Sequence, residues 1–139
     1  HEFGHLWEYP RRSVCTISTH DMATLRGWWE EDMELTSRYY NHVLGNWGEV
    51  PATAPAEICE EIVRQHLYSP SLLAILAFQD WLSMDADIRY PDANAERINV
   101  PANPRHYWRY RMHLTIEELM KSKNFNEKLT SMINETRRY

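Results

Sequence analysis

Two short apolar runs constrain this 139-residue chain more than any other feature. Residues 13–18 (Ser-Val-Cys-Thr-Ile-Ser) are rich in β-branched side chains and unbroken by turn residues, which suits a buried strand. Residues 72–78 (Leu-Leu-Ala-Ile-Leu-Ala-Phe) form the second candidate strand, although this run also admits a helical turn. Between them the period changes. From Thr19-His20-Asp21 onward, Leu25, Trp28, Trp29, Met33, Tyr40 and Val43 recur at three- and four-residue steps, with Glu30, Glu31 and Asp32 largely on the wet side, so one long helix is expected. After a Gly-, Pro- and Thr-rich loop over residues 45–55, a second helix should begin near Pro55, with Ile58, Ile62, Val63 and Leu67 as its stripe, and end at Ser69-Pro70. Strand, helices, strand, helices is the order of α/β units with parallel strands.

The remainder has two parts. Residues 84–106 hold three prolines and few apolar side chains, the mark of a functional loop or linker. From Thr115, the residues Ile116, Leu119, Met120, Phe125, Leu129, Met132 and Ile133 describe one or two amphipathic helices. Two strands cannot close a sheet, and a complete (β/α)8 barrel needs about 250 residues, of which this chain could supply about the last quarter plus extra helices. The chain opens on His1 rather than Met and shows no tag, so residues 1–139 are expected to be one piece of a longer polypeptide.

Composition excludes several classes. The net charge is −5 and the basic residues are scattered, which argues against nucleic acid or an anionic membrane as partner. No apolar run approaches the roughly 20 residues of a membrane span, and no signal peptide opens the chain. Cys15 and Cys59 lack any partner pattern and read as reduced thiols of a cytoplasmic protein.

Three groups of residues could carry chemistry. His1-Glu2-Phe3-Gly4-His5 fits the H-E-x-x-H pattern of zinc peptidases, in which two His one helical turn apart bind the metal and the Glu is general base. Gly4 inside such a helix and Pro10 after it argue against that reading, as do Glu8 and Arg11 where the longer pattern wants Gly and a third His. No metal or cofactor is therefore expected. The second group is Thr19-His20-Asp21 at a strand–helix junction. Asp21 is a good helix N-cap there, but the same place is where (β/α)8 enzymes present catalytic groups. A carboxylate could offset the charge of an oxocarbenium-like transition state, and the His could hydrogen-bond sugar hydroxyls. The third group is aromatic: six Trp and eight Tyr, several beside polar residues, as in residues 106–111 (His-Tyr-Trp-Arg-Tyr-Arg). Flat faces beside hydrogen-bonding groups suit sugars, while Trp28 and Trp29 on a helix stripe fit a core. A stand-alone carbohydrate-binding or interaction module would use such aromatics without chemistry, but needs a complete small sandwich or bundle that this order of elements does not supply.

Longer motifs narrow the choice. Ser13-Val14-Cys15 through Thr19-His20-Asp21-Met22-Ala23-Thr24-Leu25-Arg26-Gly27-Trp28-Trp29-Glu30-Glu31-Asp32 resembles the stretch around the seventh barrel strand of amylomaltases, glycoside hydrolase family 77. The run Arg97-Ile98-Asn99-Val100-Pro101-Ala102-Asn103-Pro104-Arg105-His106-Tyr107-Trp108-Arg109-Tyr110-Arg111 is similar to the end of that catalytic domain, most of all in the branch with the plant cytosolic disproportionating enzyme. Gln79-Asp80 also fits. The resemblance implies part of a retaining 4-α-glucanotransferase acting on α-1,4-glucans: maltose, maltodextrins and glycogen-like acceptors. It makes Asp21 the transition-state-stabilising carboxylate and His20 and Asn99 substrate-binding residues, with Arg97, Trp108 and Arg109 as loop supports. The nucleophile and the acid/base of the family lie on earlier strands, so this chain alone is expected to be silent. It should also be mostly helical and prone to self-association, with strands that need not pair as in the parent. Many bacterial members read Asn-x-Pro-Gly-Thr where this chain has Asn99-Val100-Pro101-Ala102-Asn103.

Overall fold

The computed structural model describes residues 2–138. Strand β1 (Val14–Cys15) pairs in parallel with strand β2 (Leu73–Ala74), Val14 opposite Leu73 and Cys15 opposite Ala74. Backbone bonds from Leu72 N to Arg11 O at 2.8 Å and from Ile75 N to Cys15 O at 2.9 Å lengthen the contact on both sides. The strands are thus shorter than residues 13–18 and 72–78, and Phe78 already begins a helix. A ladder is only as long as its pairing, and among the described residues each strand has one neighbour.

The crossover between the strands holds three helices: α1 (Leu25–Glu31), α2 (Met33–His42) and α3 (Ala56–Tyr68). The single helix expected from residue 19 to 43 is split at Asp32. That residue is extended (φ −144°, ψ 97°), and its carboxylate accepts from Glu34 N at 3.0 Å and Leu35 N at 3.1 Å, so it caps α2 instead of continuing α1. Thr36 Oγ1 donates to Trp29 O at 2.8 Å and ties the two helices together. The following loop turns through Gly45 (φ +68°) and Gly48 (φ +104°), a conformation that side chains with a Cβ resist. Pro55 precedes α3 as expected, and Ser69 ends it. Arg138 closes that end, its guanidinium donating to the carbonyls of Ser69 and Ser71 just beyond the helix and of Leu67, an acceptor the helix leaves without an internal partner.

After β2 come α4 (Phe78–Leu82), a 3₁₀ turn over Ala93–Glu96 inside the long irregular segment, α5 (Ile116–Lys121) with a Thr115–Glu118 capping box, and α6 (Lys123–Glu135). The core lies around α3: Ile62, Val63 and Leu67 meet Trp29 of α1, Leu82 of α4 and Phe125 and Met132 of α6. Trp29 is fully buried and its indole donates to Pro51 O at 2.8 Å, while Trp28 packs edge-on to Tyr39 at 5.3 Å, so both belong to the packing rather than to a sugar platform. Cys15 and Cys59 are buried and unpaired. Among the described residues no helix is long and apolar enough to cross a membrane. Apolar side chains on and beside the strands are uncovered: Val14, Leu72, Leu73 and Ile75 each keep more than half their surface exposed.

Candidate functional site

The site begins where β1 runs out. After Cys15 the chain turns at residues 19–22, and α1 starts only at Leu25. Its cap is Thr24, whose Oγ1 accepts from Gly27 N at 3.3 Å. Asp21 is therefore not the helix cap that its residue type and position allow. A second carboxylate completes the helix start from afar. Asp80, fully buried on α4, accepts from Leu25 N through Oδ1 at 2.9 Å and from Ser18 Oγ through Oδ2. With Thr24 and Asp80 serving the helix, Asp21 is left to do something else.

Asp21 projects outward with 53% of its side chain exposed. One oxygen, Oδ1, accepts from Asn99 Nδ2 at 2.7 Å, and the other, Oδ2, lies 3.4 Å from His20 Nε2. His20, 54% exposed, is flanked by the Trp108 ring at a centroid distance of 5.3 Å. Three positions expected from sequence, His20, Asp21 and Asn99, thus meet on one surface although Asn99 is 78 residues along the chain from Asp21. Trp108, read as a support of its loop, instead lies against His20 and keeps 59% of its surface exposed. Nothing local in the sequence signals this, because the contact spans two distant loops.

A buried frame holds the Asn99 loop against the turn. Glu96 is almost wholly buried and takes Arg26 Nη1 at 2.6 Å on Oε1 and Thr24 Oγ1 at 3.1 Å on Oε2. The same Arg26 nitrogen donates to Tyr90 O at 2.6 Å, and Gln79 Nε2 donates to Glu96 O at 3.1 Å. Burial pushes both the Glu96 and the Asp80 carboxyls above their ordinary range; the Arg26 charge opposes this at Glu96, and the Leu25 and Ser18 hydrogen bonds oppose it at Asp80. Nearer the surface, Arg97 donates to Asn99 O at 2.9 Å and pairs with Glu31 at 3.0 Å, while the His106 ring bonds Ile98 O at 2.9 Å. Arg97 is thus the loop support its position implied. Arg109 lies over the Tyr107 ring instead, 5.5 Å from its centroid.

His1 of the amino-terminal H-E-x-x-H pattern lies outside the described residues, and residues 2–5 are not in the helix that the pattern calls for. Glu2 is engaged by Arg38 at 2.8 Å, and His5 Nδ1 lies 3.5 Å from Glu8. Among the described residues no three His, Cys, Asp or Glu side chains are grouped to hold a metal.

Comparison with known proteins gives one consistent result. The family model described as 4-alpha-glucanotransferase (glycoside hydrolase 77) matches residues 1–116. The chain is 39% identical over 132 residues to a 4-alpha-glucanotransferase DPE2 of Oryza sativa subsp. japonica, covering 95% of this chain and 14% of that protein. It is 30% identical over 124 residues to a 4-alpha-glucanotransferase of Chlamydia pneumoniae, covering 87% of this chain and 23% of that one. In three dimensions it is similar to an amylomaltase of Streptococcus agalactiae solved in complex with acarbose, with a TM-score of 0.64 at 22% identity over 93% of this chain and 22% of that structure. The chain therefore spans less than a quarter of each of these relatives.

Proposed function

The chain belongs to the 4-alpha-glucanotransferase family, glycoside hydrolase 77, and we propose that it supplies the closing part of a retaining (β/α)8 active site that transfers α-1,4-glucan segments. In this reading β1 and β2 are neighbouring barrel strands, and residues 1–139 are the C-terminal portion of the catalytic domain. The observation that carries it is Asp21: an exposed carboxylate beyond the C-terminal end of a parallel strand, relieved of helix capping by Thr24 and Asp80 and oriented by His20 and Asn99.

Retaining transfer needs a nucleophile and an acid/base about 5–5.5 Å apart on opposite sides of one bond. Both are assigned to residues outside this chain, because the family motifs that match here do not include them. Asp21 neither attacks nor moves a proton. Its negative charge faces the sugar whose anomeric carbon becomes cationic, and that charge is worth more in the transition state than in the ground state. The Asn99 amide fixes one oxygen so that the carboxylate need not reorganise, and His20 donates to a hydroxyl of the same sugar. Substrates are maltose and maltodextrins as donors and maltodextrins or glycogen-like chains as acceptors. The exposed surface of Val14, Leu72, Leu73 and Ile75 is where the rest of the barrel packs, and where the isolated chain self-associates. The protein works in the cytoplasm, which fits its two unpaired thiols.

The test uses the full-length protein and maltotriose. Transfer with retention yields glucose and maltopentaose, with new linkages in the α configuration by proton NMR. Glucose as sole product, or β-anomeric product, would overturn the reading. The 139-residue chain incubated in the same way should give neither product above a heat-treated control.

A further inference from the structure

Beyond Trp108 the same loop lines a second cleft, a cavity of about 580 Å³. Four arginines reach it, Arg97, Arg105, Arg109 and Arg111, together with Tyr107 and Tyr110. No Asp or Glu side chain lines it, in a chain whose net charge is −5. Arg97 is paired with Glu31. The other three form no ion pair among the described residues: Arg109 lies over Tyr107, and Arg111 donates only to its neighbour's carbonyl, Tyr110 O at 2.9 Å. Like charges gathered without counter-charge raise the local potential and draw in anions. Guanidinium forks match the oxygens of a phosphate monoester better than any neutral group. The tyrosines add flat faces with hydroxyl tips, which suit the sugar carrying such a group.

The cleft is also placed to read what the site holds. Trp108 lies against His20, and its immediate neighbours Tyr107 and Arg109 line the cleft. We propose that the Arg105–Arg109–Arg111 cleft binds a phosphate monoester carried on the glucan chain, making the protein selective for phosphorylated over neutral glucans. The phosphate site stands on the arginines alone, and only its placement on a glucan rests on the function proposed above.

Isothermal titration of the full-length protein with maltohexaose, with maltohexaose bearing a 6-phosphate, and with inorganic phosphate tests this. The phosphorylated sugar should bind at least about tenfold more tightly, roughly 1.4 kcal/mol. The advantage should shrink with added salt and fall to near unity in the R105Q/R109Q/R111Q variant. The three single variants, each lowering the ratio by at least about twofold, decide the matter should the triple variant not fold. Equal affinity for the two sugars, or a preference that survives the substitutions, overturns the proposal while leaving the glucan reading intact. Inorganic phosphate that binds the wild type but not the triple variant, with neither sugar bound, supports the arginine site and contradicts the glucan reading.

Discussion

Asp80→Ala should unfold the strand–helix junction from beneath the site. Asp80 is fully buried, and its carboxylate accepts from two buried donors: the first amide of α1, Leu25 N, and the hydroxyl of Ser18 just beyond β1. Truncation leaves both without an acceptor and without water. Each orphaned donor costs about 1–3 kcal/mol, so the loss should be about 2–6 kcal/mol. For a domain of this size that lowers Tm by roughly 6–18 °C, read by circular dichroism at 222 nm. Asp80→Asn is the control. Its amide oxygen still accepts from Leu25 N, and its NH2 donates to Ser18 Oγ, so the loss should stay under about 1.5 kcal/mol. The two variants should also differ in pH response. The folded Asp80 pKa is raised by burial, so this group's contribution to stability is full below the unfolded value and declines as pH rises through the folded one. Asn mimics the protonated form at every pH, and its stability relative to wild type should therefore improve from pH 4 to pH 7. An Asp80→Ala protein melting within about 2 °C of wild type, or one no worse than Asp80→Asn, would refute the reasoning.

Two further outcomes are expected. His20→Ala in the full-length protein should weaken substrate binding and turnover by about 1–3 kcal/mol with hardly any change in Tm, because its half-exposed ring contributes little to the core; a large drop in Tm with intact specific activity would contradict this. Cys59, whose thiol burial pushes up to about 11, should resist iodoacetamide at pH 8 for as long as the fold is intact and react on addition of guanidinium, which mass spectrometry reads directly.

Much of the architecture was legible because it is local. A β-branched run marked β1, an apolar run marked β2, Pro55 marked the start of α3, and the apolar period from Thr115 marked α5 and α6. The errors arise where two local signals compete. Asp21, Thr24 and Asp32 are all good N-cap types, and the apolar period runs through them without a break. What decides between Asp21 and Thr24 is Asp80, 55 residues from the amide it accepts, and no window of sequence contains that contact. The site divides in the same way. His20 and Asp21 were visible at the end of a strand, and the longer motif added Asn99. The buried Arg26–Glu96 pair that holds the Asn99 loop and the contact of Trp108 with His20 join segments that are tertiary neighbours only.

The central claim is that Asp21 carries transition-state charge, and Asp21→Asn in the full-length protein tests it most directly. Asn keeps the size and one acceptor for the Asn99 amide but removes the charge. With maltotriose as substrate, kcat should fall by at least about 10²-fold, equivalent to roughly 2.7 kcal/mol of transition-state stabilisation, with KM little changed. A variant whose kcat stays within about threefold of wild type, or whose loss lies wholly in KM, contradicts the account.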